Sequence, residues 1–262
     1  MRARSEPERL QKVLARLGLG SRRQVETWIK AGRLMLNGRP ARLGDRLAAG
    51  DRLQLDGRPV RLDAARAGAA GLPLFLCNRS PGQLLVGSGR ADAAASLAAG
   101  LPRRAGRRYV SISPMPLQDG GLELLTADGA LAARLQRAVR SLPIEFRVRV
   151  RGEITGQQAG GVLGGELDRG ARLPIGELQD GGGEGANRWY RITATGVSGS
   201  DLRQLLERQG VAVSRVLRLR LGPLVLERSL PRGHSRALEA AERQALLEPA
   251  ADEATGSSAA VR

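Results

Sequence analysis

Hydrophobic positions in the first sixty residues switch between helical and strand-like spacing. Leu10, Val13, Leu14 and Leu17 recur every three or four residues, the period that gathers side chains on one helix face. Ser5 and Glu8 stand before them at the spacing of a capping box, and Gly18 ends the run. Ser21 and Gln24 open a second helix with Val25, Trp28 and Ile29 on its apolar face and Gly32 at its close. Short alternating segments follow, Leu34 and Leu36 before Asn37-Gly38, then Leu53 and Leu55 before Asp56-Gly57. Asn-Gly and Asp-Gly supply the positive φ angles of tight hairpins. Residues 5–62 therefore predict a compact unit of two helices and short strands.

Residues 63–71 are small and flexible in composition and predict a linker. Residues 72–245 predict a second domain of mixed strands and helices. Arg147-Val148-Arg149-Val150-Arg151 alternates like a half-buried strand, and residues 215–228 hold a strand, a Gly222-Pro223 turn and a further strand. Leu131 to Val139 and Leu202 to Gln209 read as helices. Gly181-Gly182-Gly183-Glu184-Gly185 reads as a loop, without the lysine and hydroxyl residue of a nucleotide-binding P-loop. Residues 246–262 have the composition of a disordered tail. The fold class expected is α+β.

The 262-residue chain carries a formal net charge of +16, which suits a polyanion partner. The charge is concentrated at the front: residues 1–66 hold 16 basic and 7 acidic residues, a net of +9. All basic residues but Lys12 and Lys30 are arginine. A single cysteine, Cys77, and a single histidine, His234, argue against disulfides, Cys-rich zinc sites and His-based triads. Cys77 follows Leu74-Phe75-Leu76 and reads as a core residue. No run of about 20 apolar residues suggests a membrane span, so a cytoplasmic location without membrane contact is expected.

Several segments carry a resemblance. Glu8-Arg9-Leu10-Gln11-Lys12-Val13-Leu14, Gly20-Ser21-Arg22-Arg23, Ile29-Lys30-Ala31-Gly32-Arg33, Asn37-Gly38-Arg39 and Gly50-Asp51-Arg52-Leu53 are similar to the S4 RNA-binding module. The resemblance implies RNA contact by Arg9, Lys12, Ser21, Arg22, Arg23, Lys30, Arg33, Asn37 and Arg39. Arg22 and Arg23 also sit at a helix N-terminus, where free backbone amides favour a phosphate. Gly121-Leu122-Glu123-Leu124-Leu125-Thr126-Ala127-Asp128-Gly129 resembles a signature of the S4-domain ribosomal-RNA pseudouridine synthases. Asn78-Arg79-Ser80-Pro81-Gly82, Ile144 to Gly152, Trp189-Tyr190-Arg191-Ile192-Thr193 and Ser214 to Leu224 match further stretches of that family. The implied fold is an S4 module followed by a mixed, mainly antiparallel sheet with flanking helices. The implied partner is ribosomal or other structured RNA, with no DNA and no cofactor, and the chain is expected to be a monomer.

The family's reaction breaks the bond from uracil N1 to the ribose, turns the base and rejoins it through C5. The target nucleotide must first leave its stack. An Asp supplies the carboxylate and a Tyr stacks on the base. Counting back from Gly121, the Asp position holds Pro116, which has no ionisable group. Pro114 and Ser113 replace the preceding Arg and Gly, Phe146 replaces the Tyr, Ile144 a Lys, and Ser198-Gly199-Ser200 an Arg-Asn-Arg run. Two prolines two residues apart predict a reshaped loop. These losses predict an RNA-binding protein without catalysis, with Phe146 and Tyr190 as base-stacking candidates beside Trp189 and Tyr109. The alternative is an active synthase that uses Asp119, which an extended chain would set roughly 10 Å from position 116, or a rearranged loop. A protein-interaction scaffold is the third reading. Asp128 is expected in a hairpin turn.

Overall fold

The computed structural model describes residues 7–17, 19–48, 50–60, 62, 73–86, 96–102, 108–183 and 186–248. At the front, helix α1 (Leu10–Arg16) starts without a side-chain cap. Ser5 lies outside the described residues. Glu8 is drawn instead into strand β1 (Glu8–Arg9), paired with β4 (Arg46–Leu47). Helix α2 (Arg22–Lys30) is capped as expected, with Ser21 Oγ accepting the Gln24 N–H at 3.1 Å. Strands β2 (Leu34–Leu36), β3 (Arg39–Pro40), β5 (Leu53–Leu55) and β6 (Arg58–Pro59) form a small sheet in the order β3-β2-β5-β6. The turn residues Asn37 and Asp56 take φ of 52° and 51°, as their Gly partners predict. Leu10, Val13, Leu14, Val25, Ile29, Leu34, Leu36 and Leu53 close one hydrophobic cluster between helices and sheet.

Among the described residues of the second unit, nine strands make one mixed sheet. They are β7 (Leu74–Arg79), β8 (Val110–Ser111), β9 (Gly120–Thr126), β10 (Pro143–Arg151), β11 (Ile175–Asp180), β12 (Asn187–Thr195), β13 (Val213–Leu221), β14 (Leu224–Val225) and β15 (Ser235–Ala237). The order is β11-β12-β10-β13-β9-β7-β15, with β14 beside β13 and β8 beside β9. The β9–β13 pair is parallel and the other pairings are antiparallel. Helices α3 (Gly129–Ala138), α4 (Gly156–Gly164), α5 (Gly199–Arg208) and α6 (Ala240–Leu247) contribute Leu135, Val162, Leu205 and Leu246 to one core with Leu124, Phe146, Val148 and Ile192.

Strand β10 shows how pattern becomes architecture. Ile144, Phe146, Val148 and Val150 are buried in that core, while Arg147 and Arg151 are exposed on the other face. The sheet is thus apolar towards the helices and basic where β10 and β12 face away from them.

Three expectations change. Asp128 is not in a hairpin but caps α3, its Oδ1 accepting the Ala130 and Leu131 N–H groups at 2.9 and 3.0 Å. An Asp at that spot satisfies helix amides that nothing else would meet. Helix α6 carries order to Leu247, inside the stretch expected to be disordered, because Glu239 and Glu242 form a capping box and Leu246 is buried. Helix α4 was not foreseen at all: its glycines mask a Thr155–Gln158 capping box that starts it.

Candidate active site

The Pro116 position lies on a turn that leads into β9. Gly120 and Gly121 open that strand because nothing larger fits. A Cβ on Gly120 would lie 2.3 Å from the Arg79 carbonyl oxygen. One on Gly121, whose φ is +90°, would lie 2.3 Å from that of Arg218. The close approach lets β9 sit between β7 and β13 and brings the preceding turn against the start of α5. Gly199, the first residue of that helix, leaves room there for Met115 and Pro116.

The Asp119 N–H donates to the Pro116 carbonyl at 3.0 Å. The three-residue step is therefore a tight turn, in which first and fourth Cα atoms lie within about 7 Å, and not the extended span expected from sequence. The Asp119 side chain is fully buried and turned inwards. Its Oδ2 accepts from Arg203 Nε at 2.9 Å, and its Oδ1 accepts from Arg203 Nη2 at 2.5 Å and from the Val216 N–H at 2.8 Å. This hydrogen bond holds the Arg203 pKa above the usual arginine value, against the opposing effect of burial. Arg203 also donates to Glu207 at 3.2 Å.

A second buried charge cluster, which sequence reasoning missed, fixes the other side of the turn. Glu123 stands between Arg79 and Arg218, and all three are essentially inaccessible to solvent. Arg79 Nε lies 3.1 Å from Glu123 Oε1 and Arg218 Nη2 lies 3.1 Å from Oε2. The same arginines reach the loop backbone. Arg79 donates to the carbonyls of Met115 and Pro116 at 2.8 and 2.6 Å, and Arg218 donates to that of Ser113 at 2.7 Å. Glu123 Oε1 accepts the Met115 N–H at 2.9 Å. Burial pushes the Glu123 pKa up and the Arg218 pKa down, each resisted by the other's charge. The signal available was one carboxylate in a run of leucines, Leu122-Glu123-Leu124-Leu125. Cys77, on the neighbouring strand, is buried as expected, and desolvation pushes its thiol up to about 12.

The expected stacking residues are core residues. Phe146 has no exposed surface, because even-numbered positions of β10 face the helices. Tyr190 is 5% exposed, and its hydroxyl accepts the Ile154 N–H at 2.9 Å. Tyr109 packs edge-on against Phe75 and donates to the Pro102 carbonyl. Trp189, adjacent to Tyr190 in sequence, points to the opposite face, where the Arg147 guanidinium sits 4.4 Å from a ring centroid.

The S4-like residues divide into two groups. Arg33 is bonded to Asp56 through two contacts, Arg39 to Asp45 through two, and Lys12 pairs with Glu8 at 2.8 Å. The Asn37 side chain donates to Asp51 and accepts the Arg52 N–H, and Ser21 caps α2. These side chains already have partners within the module, although Lys12, Arg33 and Arg39 remain about half exposed. Arg9, Arg22, Arg23 and Lys30 are exposed and make no ion pair among the described residues. Between the two units, a cleft of about 530 Å³ is lined by Lys12, Ser21, Arg22, Arg108 and the face of α3.

The S4 domain family matches residues 8–53. Ribosomal large subunit pseudouridine synthase B of Escherichia coli (strain K12) is 35% identical over 246 residues, covering 92% of this chain and 82% of that protein. The chain belongs to the S4-containing pseudouridine synthase family. The Haemophilus influenzae protein of the same name is also 35% identical, over 88% of this chain, and the chain spans 64% of that relative's length. A solved pseudouridylate synthase structure shares the fold, with a TM-score of 0.58 over 91% of this chain and 99% of the other, at 18% identity.

Membership corrects the reading drawn from Pro116. A non-catalytic protein was expected because the catalytic position is vacant and the neighbouring side chains are replaced. The relatives, alike along most of the chain, bear the names of synthases. The physical premise also fails at one point, because the turn from Pro116 to Asp119 removes the extended separation on which it rested. No helix among the described residues is long and apolar enough to cross a membrane.

Proposed function

We propose that the chain is a ribosomal-RNA pseudouridine synthase that isomerises uridine in large-subunit RNA, with Asp119 as its carboxylate. The observation that carries this reading is the 35% identity to named synthases over about nine-tenths of the chain. In this reading the S4-like unit, residues 5–62, grips a stem through phosphates contacted by Arg9, Arg22, Arg23 and Lys30. The sheet unit, residues 72–245, receives the unstacked nucleotide at the Met115–Asp119 turn.

Asp119 is the carboxylate best suited to the task. It is one tight turn from the vacant position and is held by a two-point contact with Arg203. Paired with a guanidinium, it is available to act on the sugar as nucleophile or base while the N1–C1′ bond breaks and the C5–C1′ bond forms. C5 then gives up its proton to solvent and N1 takes one up. In the free protein it is covered. The reaction therefore requires RNA to open the turn, so that Asp119 exchanges part of its contact with Arg203 and the Val216 N–H for the ribose. Opening is physically accessible because the turn's outer edge, Leu117 and Gln118, is exposed and Arg203 keeps Glu207 as a second partner. The buried Arg79–Glu123–Arg218 cluster holds the Ser113–Pro116 side fixed, so motion is confined to the Asp119 side.

The test is a pseudouridine map of total RNA from cells with and without the gene. The proposal expects one or a few large-subunit uridines to lose modification. Identical maps, with the protein expressed, would remove it.

A further inference from the structure

The sheet face turned away from the helices carries a groove that neither the S4-like surface nor the Asp119 turn accounts for. One part, of about 200 Å³, is lined by Arg79, Gly121, Arg147, Leu219, Leu226 and Arg228. A second, of about 370 Å³, shares Arg147, Leu219, Leu226 and Arg228 and adds Trp189 and Arg191. The two are continuous across β13 and β10. The track begins at Gly121, two residues from Asp119, and ends at Trp189 on β12. That distance is three strand spacings, roughly 14 Å.

Its chemistry is specific in kind. The floor is apolar, from Leu219 and Leu226, and the sides are mainly cationic, with Glu227 on the rim held by Arg236 at 3.0 Å. Trp189 is partly exposed, with the Arg147 and Arg149 guanidiniums 4.4 and 6.0 Å from a ring centroid. The register explains the gathering: Trp189 lies opposite Arg149 and Arg191 opposite Arg147, so four long side chains share one patch. Glu145 partly offsets it through Arg191 at 3.2 Å. Flat apolar surface bordered by arginines is the arrangement that accepts stacked bases with a phosphate chain alongside. A duplex has no free base faces to offer it.

We infer that this groove binds the single-stranded RNA segment flanking the target uridine, a nearby base stacking on Trp189 while Arg147, Arg191 and Arg228 meet its phosphates. The inference takes RNA as ligand from the proposed function, but it concerns binding alone and does not depend on turnover.

The chain has two tryptophans, so replacing Trp28 by Phe leaves Trp189 as the sole reporter in the full-length protein. Titration with a uridine decamer should quench Trp189 emission, and an RNA duplex of equal charge should not. Trp189→Leu should weaken decamer binding about 5- to 150-fold, the worth of one stacked base, whereas Trp189→Phe should keep most of the affinity. Arg228→Glu, at an exposed position with no side-chain hydrogen bond or ion pair among the described residues, should also weaken it. The inference falls if the decamer leaves the emission unchanged, or if Trp189→Leu and Arg228→Glu bind like the parent. Equal quenching by polyglutamate would overturn it too, since the groove would then be a site for acidic protein segments.

Discussion

Asp119 and Arg203 are 84 residues apart in sequence and meet through nitrogen–oxygen contacts of 2.5 and 2.9 Å, with the carboxylate fully buried. The pair ties the turn before β9 to the middle of α5. Removing one partner of a buried pair strands the other's charge, which costs far more than the pair contributes.

Arg203→Met should therefore destabilise the fold by about 3–5 kcal/mol, read from urea unfolding. Asp119→Asn should cost less, since Asn still accepts the Val216 N–H and Arg203 keeps Glu207. Equal, small losses in both variants would mean that the contact is not maintained in solution.

The S4-like surface should separate by partner. Replacing Arg22 and Arg23 together by Ala should flatten the salt dependence of binding to structured RNA by about one to two charges. Arg33→Ala should leave the slope nearly unchanged and lower stability instead, because its guanidinium is bonded to Asp56. A slope that responds to Arg33 but not to the Arg22 and Arg23 pair would invert the assignment.

Asp45 gives the module an acid-sensitive anchor. Its pKa is lowered in the fold, first by the hydrogen bond from Arg39 and then by the Arg42 N–H. A carboxylate whose folded pKa is depressed contributes stability above its unfolded value, about 3.9, and loses it as pH falls through the folded one. Asp45→Asn should thus lower the thermal midpoint at pH 7, and the gap to the parent should narrow progressively below about pH 4. A gap independent of pH would show that the charge contributes nothing.

Tyr190→Phe should cost about 1–3 kcal/mol by leaving the Ile154 N–H without its acceptor, with RNA affinity preserved. A tenfold loss of affinity at unchanged stability would make Tyr190 an RNA contact and refute its place in the core.

Much of the frame was legible because it rests on local chemistry. Ser21 three residues before Gln24, Asn37 before Gly38, and apolar side chains at alternate positions of β10 each fix their element without distant partners. The failures are long-range. Glu8 could not be known to pair with Leu47, since strand pairing across 39 residues competes with a cap that sequence shows in full. Aromatic identity makes Phe146 and Tyr190 stacking candidates but does not reveal which face of a sheet each takes, and both face the core. The Arg79–Glu123–Arg218 cluster joins three strands, and only the lone carboxylate of the leucine run hinted at it. Most consequentially, an extended chain would separate Pro116 from Asp119 by roughly 10 Å, and spacing alone does not show the turn hydrogen bond that closes the gap.

Pseudouridine formation on a large-subunit ribosomal RNA transcript, measured for the purified chain and for its Asp119→Asn variant, decides whether Asp119 is the working carboxylate. Folding of both is checked by thermal unfolding. The parent should convert uridine at a defined position, and the folded variant should form no pseudouridine. Conversion by Asp119→Asn at the parental rate would show that the carboxylate lies elsewhere, and an inactive parent would contradict the claim of catalysis itself.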